Sequence, residues 1–166
     1  MQKLSKKLII GIVIFLIIII IMLLLYFKNS SSNVLFKSSY INHAWGYADY
    51  GYIIYENGVI QQYDNSDEKR IENLKKDKIT KKELSQLKKL ANKVEDKYKK
   101  KESNPPMQDA GISENIIYSN KLSKFVVLSR SGDLMENNFT ETSIEILNLT
   151  EKLYNKYLND ENKQSD

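Results

Sequence analysis

The sequence predicts an α+β protein: an N-terminal transmembrane helix, then a small two-layer domain in the order ββαββα, two helices on one face of a four-stranded, mostly antiparallel sheet. Three observations carry this expectation. Residues 8–27 hold no charge. Asn57-Gly58 separates two apolar-rich runs, and Thr80 with Glu83 opens a stretch whose apolar residues recur at spacings of three and four.

Leu8 to Phe27, "LIIGIVIFLIIIIIMLLLYF", is 20 residues long. A helix of that length would rise ~30 Å, the thickness of a bilayer's hydrocarbon core. Lys3, Lys6 and Lys7 precede it and Lys28 follows, which predicts a cytoplasmic N-terminus and an extracytoplasmic C-terminal domain. The run exceeds the ~7–15 residues of a signal-peptide core and lacks an A-x-A-like site. An uncleaved single-pass signal-anchor in the cell membrane is therefore expected, the alternative being secretion after cleavage near Ser32. The expected division is a basic flank at 1–7, the helix at 8–27, a spacer at 28–39, an extracytoplasmic domain at 40–158 and a polar tail at 159–166.

In the outer domain, Asn57-Gly58 is a hairpin signal, since both central residues of a type I′ turn take positive φ. A two-residue loop pairs Tyr55 with Ile60 and Tyr52 with Tyr63, and places Tyr52, Ile54, Val59 and Tyr63 on one face. Thr80-x-x-Glu83 reads as a capping box with Ile79 and Leu84 as its hydrophobic staple. Leu84, Leu87, Ala91, Val94 and Tyr98 continue one apolar stripe, and "SNPP" at 103–106 ends the helix. Asn115–Tyr118 and Lys124–Ser129 form a second hairpin turning near Asn120, closed by Gly132-Asp133. A last helix starts near Asn138 or Thr140 and ends near Leu158, with a wide apolar arc.

Chemistry-bearing motifs are sparse. With no cysteine, disulfides, thiol catalysis and Cys-ligated zinc are excluded. His43 is the one histidine, and no G-x-S-x-G elbow accompanies it. Ser85-Gln86-Leu87-Lys88 matches S-x-x-K without the rest of that signature and sits on a helix surface. "DNSDEK" from Asp64 resembles the start of a calcium loop, but Lys69 falls where glycine is needed and Lys75 where the bidentate Glu belongs. Asp109 in "DAG" and Asp133 in "SGD" are candidate catalytic carboxylates, though Asp beside Gly is ordinary turn chemistry. No cofactor or metal is expected, and the chain reads as a non-enzyme.

Charge says more. Abundant Ile, Lys, Asn and Tyr with only Arg70 and Arg130 is the composition of a low-GC bacterium. Beyond the apolar run, 22 basic residues stand against 21 acidic, so the pI near 9.0 gives no case for nucleic acid. From Lys75 to Lys101, however, 12 basic residues meet 4 acidic, and from Glu102 onward 6 meet 11. Lys81, Lys82, Lys88, Lys89, Lys93 and Lys97 form a candidate basic ridge for an anionic envelope polymer, lipid headgroups or an envelope protein. The bland reading is a solvated helix face. A second candidate surface is Trp45, Tyr47 and Tyr50 in "HAWGYADYG", whose rings present rigid apolar faces with polar tips; the bland alternative is that they cover a sheet edge.

The expected function is a membrane-anchored, extracytoplasmic, non-enzymatic binding module of a bacterial cell envelope. Two alternatives stand beside it. The element order hairpin, helix, hairpin, helix is similar to that of emfourin-type inhibitors of metallopeptidases, a similarity that implies peptidase inhibition and assigns no residues. The other is a small envelope hydrolase using Asp109, Asp133 or His43.

Overall fold

The computed structural model describes residues 11–22, 33–44, 46–96, 99–103, 111–132 and 134–159. The chain divides into two units, Met1–Asn33 and Val34–Asp166. In the first, residues 11–22 form a helix, α1, whose aliphatic side chains are exposed on all sides. Among the described residues, no helix is long and apolar enough to cross a membrane. This corrects the expected transmembrane helix and signal-anchor, the single-pass cell-membrane localisation, and the membrane as an integral partner. The flanks that expectation also needed, 8–10 and 23–27, lie outside the described residues, as does the alternative cleavage point at Ser32.

The second unit is α+β with a wholly antiparallel sheet. Its elements run β1 (Val34–Asn42), β2 (Ala48–Tyr55), β3 (Val59–Asp64), β4 (Lys76–Lys78), α2 (Lys81–Ala91), β5 (Lys99–Ser103), β6 (Ile112–Ser119), β7 (Lys124–Ser131), β8 (Leu134–Asn138) and α3 (Glu141–Tyr157). The sheet has eight strands rather than four, in the order β4-β3-β2-β1-β6-β7-β8-β5. The four-strand order that resembled emfourin-type inhibitors is therefore not the order found. β1 takes in residues 34–39, read from sequence as spacer.

Two meanders, β1-β2-β3-β4 and β6-β7-β8, lie side by side, joined where β1 pairs with β6 from Phe36↔Ile117 to Ile41↔Ile112. Each meander is followed by a helix. Phe36, Ile54, Ile60, Ile117, Val126 and Leu128 of the strands pack with Leu87, Leu90, Ile146 and Leu153 of the helices, all buried, so both helices cover one face. Leu35 interrupts the β1–β2 register as the extra residue of a bulge and is buried beside Phe36.

The first hairpin differs from its expected register by one residue. Gly58 alone takes the left-handed region, at φ +86°. Its N–H bonds Tyr55 O at 2.9 Å, and Val59 N–H bonds Asn57 Oδ1 at 3.0 Å. The loop is thus Glu56-Asn57-Gly58, a turn ending in a left-handed glycine instead of a two-residue type I′ turn. Pairing runs Ile54↔Ile60, Tyr52↔Gln62 and Gly51↔Tyr63. The shift sends Tyr63 to the face opposite Tyr52 and Ile54. Tyr52 instead meets Phe36, with centroids 5.7 Å apart, and Tyr154 of α3 at 4.8 Å.

α2 opens on the expected capping box, Thr80 with Glu83. It stops at Asn92, well before "SNPP". Lys93 and Val94 fold back onto the Leu90 carbonyl, Val94 is buried, and Lys99–Ser103 then pairs with β8. Lysine-rich "KKKES" favours helix locally, and strand pairing overrides that preference. β4 and β5 are the two edge strands, and both are rich in lysine, a residue that discourages pairing with another chain.

Candidate functional site

Tyr47 and Asp49 anchor the "HAWGYADYG" stretch to the loop after β3. Asn65 N–H bonds Asp49 O at 2.8 Å and Asp67 N–H bonds Tyr47 O at 2.9 Å. Tyr47 N–H bonds Asp67 Oδ2 at 3.0 Å, and Asp49 N–H bonds Ser66 Oγ at 3.1 Å. Asp49 Oδ2 accepts from the Tyr47 hydroxyl and from Asn65 Nδ2, each at 3.2 Å. Asp49 Oδ1 and the Tyr63 hydroxyl are buried with no partner at hydrogen-bond geometry among the described residues. Burial, then the nearby Asp49 carboxylate, pushes the Tyr63 phenol well up; Lys37 Nζ lies 5.1 Å from the centre of its ring.

Asp64 organises the same loop. Its Oδ1 accepts from Ser66 N–H at 3.0 Å, and its Oδ2 from Arg70 and Ile71 N–H at 2.8 Å each. Burial opposes the charge, but these amides and the Ser66 hydroxyl outweigh it and hold the carboxyl well below its usual range. The "DNSDEK" run is a self-closing turn. Asp at its first position with Ser two residues on is the local signal for such a turn.

Two of the three aromatic candidates, Tyr47 and Tyr50, are described, and they make different contacts. Tyr47 and Asp49 lie toward the helix-free face, with His43 against Tyr47 at a centroid distance of 5.2 Å. Tyr50 pairs with Tyr40 in register, and their rings are 5.2 Å apart. Strand alternation puts Tyr50 on the helix-bearing face with Tyr52 and Ile54. Trp45 lies outside the described residues, as do Asp109, Asp133 and Lys97.

Lysines of the basic ridge stand in the first and last turns of α2 and just beyond it. Lys81, Lys82, Lys89 and Lys93 are exposed and Lys88 is half-buried. Among the described residues, none of these five lysines has an ion-pair partner. The one acid of α2, Glu83, is held elsewhere: Lys156 Nζ lies 2.8 Å from its Oε1, and the Tyr157 hydroxyl donates to Oε2 at 2.7 Å. The remaining lysines of the Lys75–Lys101 segment sit mainly on the edge strands β4 and β5.

Sequence reasoning missed the charge network on the second half of the sheet. Glu136, 4 % exposed, receives Lys99 Nζ at 3.0 Å and Arg130 Nη1 at 3.5 Å. Arg130 also binds Glu114, and Asp96 holds both Lys99 and Lys124, at 2.9 and 2.6 Å. These residues come from five separate segments, so no local pattern announces them. Among the described residues, no group of three or more His, Asp or Glu is placed to hold a metal ion.

Comparison with known proteins gives no match among protein-family models, curated proteins or solved structures.

Proposed function

We propose that the chain is a non-enzymatic interaction module that takes an anionic partner on the lysine face of α2. The carrying observation is the lack of neutralisation: Lys81, Lys82, Lys88, Lys89 and Lys93 have no described ion-pair partner, while Glu83 is already shared between Thr80, Lys156 and Tyr157. The lysines of β4 and β5 have a local duty as edge protection, and Lys99 and Lys124 as network members. The α2 lysines have none, and their clustered field attracts negative charge over roughly the ~8 Å Debye length of physiological salt.

The test is titration of the full chain with fluorescent poly-L-glutamate at low and physiological salt, beside a variant carrying Lys81→Gln, Lys82→Gln, Lys88→Gln and Lys89→Gln. The expected result is saturable binding that weakens with salt and falls about tenfold or more in the variant. Equal binding by both proteins, or none by the parent at low salt, would overturn the reading.

A further inference from the structure

On the helix-bearing face, β1, β2 and β6 extend past the hydrophobic core beneath α3. There they line a cleft of about 260 Å³ with α3. Its floor is a transverse row in which Asn115 pairs with Ser38, and Ser38 with Tyr52. Its α3 side is formed by Thr150, Glu151 and Tyr154. The rings of Tyr52 and Tyr154 are 4.8 Å apart and tilted by 39°.

The charge in this cleft is one-sided. Asn115 Nδ2 donates to Ser129 Oγ at 2.9 Å, while the carbonyl end of the amide has no such bond. The Thr150 hydroxyl spends its proton on the Ile146 and Leu147 carbonyls, at 3.0 and 3.1 Å. Glu151 is exposed at the rim and has no ion-pair partner among the described residues. Among the described residues, no Lys, Arg or His lines the space. Burial pushes the Tyr52 phenol up to about 12, so no phenolate forms near neutral pH. What remains is one carboxylate, two aromatic rings, and hydroxyl and amide oxygens able to accept.

We propose that this cleft binds an alkylammonium group, with the cation between the Glu151 carboxylate and the two tyrosines and its methylene stem beside Leu147. The fit follows from complementarity. An ammonium brings three donors to a site rich in acceptors, and its charge is attracted both by the carboxylate and by aromatic rings. An anion would meet Glu151 with no cation to offset it. A neutral polyol would gain the hydrogen bonds but neither charge term. The ammonium can come from a free small amine or from the lysine side chain of a partner, and the two sources share this chemistry.

The experiment is a titration of the full chain followed by amide chemical shifts of β1, β6 and α3. The probes are 1,5-diaminopentane, Nα-acetyl-lysine methylamide and, as an uncharged control of equal length, pentane-1,5-diol. Saturable shifts at Ser38, Asn115 and Glu151 are expected for one or both amines, with the diol at least about tenfold weaker. Tighter binding of diaminopentane identifies a free amine as the source, and tighter binding of the lysine analogue identifies a side chain. Glu151→Gln changes an exposed, unpaired group and is expected to leave the melting temperature unchanged while weakening amine binding about tenfold. Tyr154→Leu, which keeps an apolar side chain over Tyr52, is expected to weaken it likewise. Equal shifts with diol and amines, no saturable shift at all, or unchanged amine binding by both variants would overturn the proposal. None of these outcomes depends on the α2 lysines, so this inference and the anionic-partner reading fail separately.

Discussion

Lys156 Nζ lies 2.8 Å from Glu83 Oε1, which ties the last turn of α3 to the first turn of α2. The same carboxylate closes the Thr80 capping box and accepts the Tyr157 hydroxyl. Burial opposes the charge, but these partners outweigh it, so Glu83 falls from its ordinary 4.5 to about 2. A carboxyl with a depressed value stabilises the fold above its unfolded value and loses that contribution as pH falls through the folded one. Its side chain is 21 % exposed, so screening discounts the gain. Glu83→Gln is expected to cost about 1–2 kcal/mol at pH 7. Urea unfolding of both proteins should show the gap closing between pH 4.5 and about 2. A gap of the same size at both ends of that window sinks the assignment.

Asp64 predicts a second, local effect. Replacing it with Asn leaves the turn its oxygen but removes the charge from three amide bonds, and Ala removes the acceptor altogether. Asp64→Ala should cost about 2–3 kcal/mol and Asp64→Asn about half that. The amides of Ser66, Arg70 and Ile71 should exchange with solvent faster in both variants, and those of β6 should not. Uniform acceleration across the sheet would show that Asp64 supports the whole fold rather than its loop.

At the other end of the sheet, β5 is held by β8 alone. Glu136 in β8 reaches Lys99 at the start of β5. Glu136→Gln leaves Arg130 with Glu114 and Lys99 with Asp96, so the loss is cushioned. A cost of about 1–3 kcal/mol is expected, below that of stranding a buried charge. Hydrogen exchange should rise first at Lys99–Lys101. Unchanged protection there would mean that the backbone ladder alone keeps β5 in place.

Helix-capping signals in the sequence are those that the structure keeps. Thr80-x-x-Glu83 caps a helix because both residues act within one turn, and Thr140 caps α3 for the same reason. Asn57-Gly58 marks a hairpin, but the loop length depends on whether one residue or two enter the left-handed region, and that choice flips every side chain beyond it. The lysine face of α2 was visible as composition. The Tyr52–Tyr154 contact was not, because it joins residues 102 positions apart and rests on the register that the turn decides. β4 and β5, three and five residues long, are strands only because β3 and β8 pair with them. Nothing in "KDK" or "KKKES" alternates in the manner of a half-buried strand.

Gly51 carries the most severe prediction. It lies inside β2, paired with Ser39 on one side and Tyr63 on the other. A side chain there would land on the Ser38 carbonyl oxygen, with the Ser38 carbonyl carbon at 2.9 Å and Ser39 Cα at 3.0 Å. All three obstacles are backbone, so no rotamer change relieves them. The glycine is therefore required by the close approach of β1, and not by a turn. Gly51→Ala must push β1 and β2 apart at the middle of the sheet, where Ser38 and Tyr52 also line the cleft beneath α3. The expected loss is about 3 kcal/mol or more, a large share of a domain's typical stability. Gly11→Ala, where nothing lies within 4 Å, should change stability by less than about 0.5 kcal/mol. Denaturant midpoints for the two variants decide the matter. If Gly51→Ala unfolds with the parent, β1 and β2 have room that this packing denies them. If it unfolds early while keeping its helices, the fault lies in the sheet where the close approach puts it.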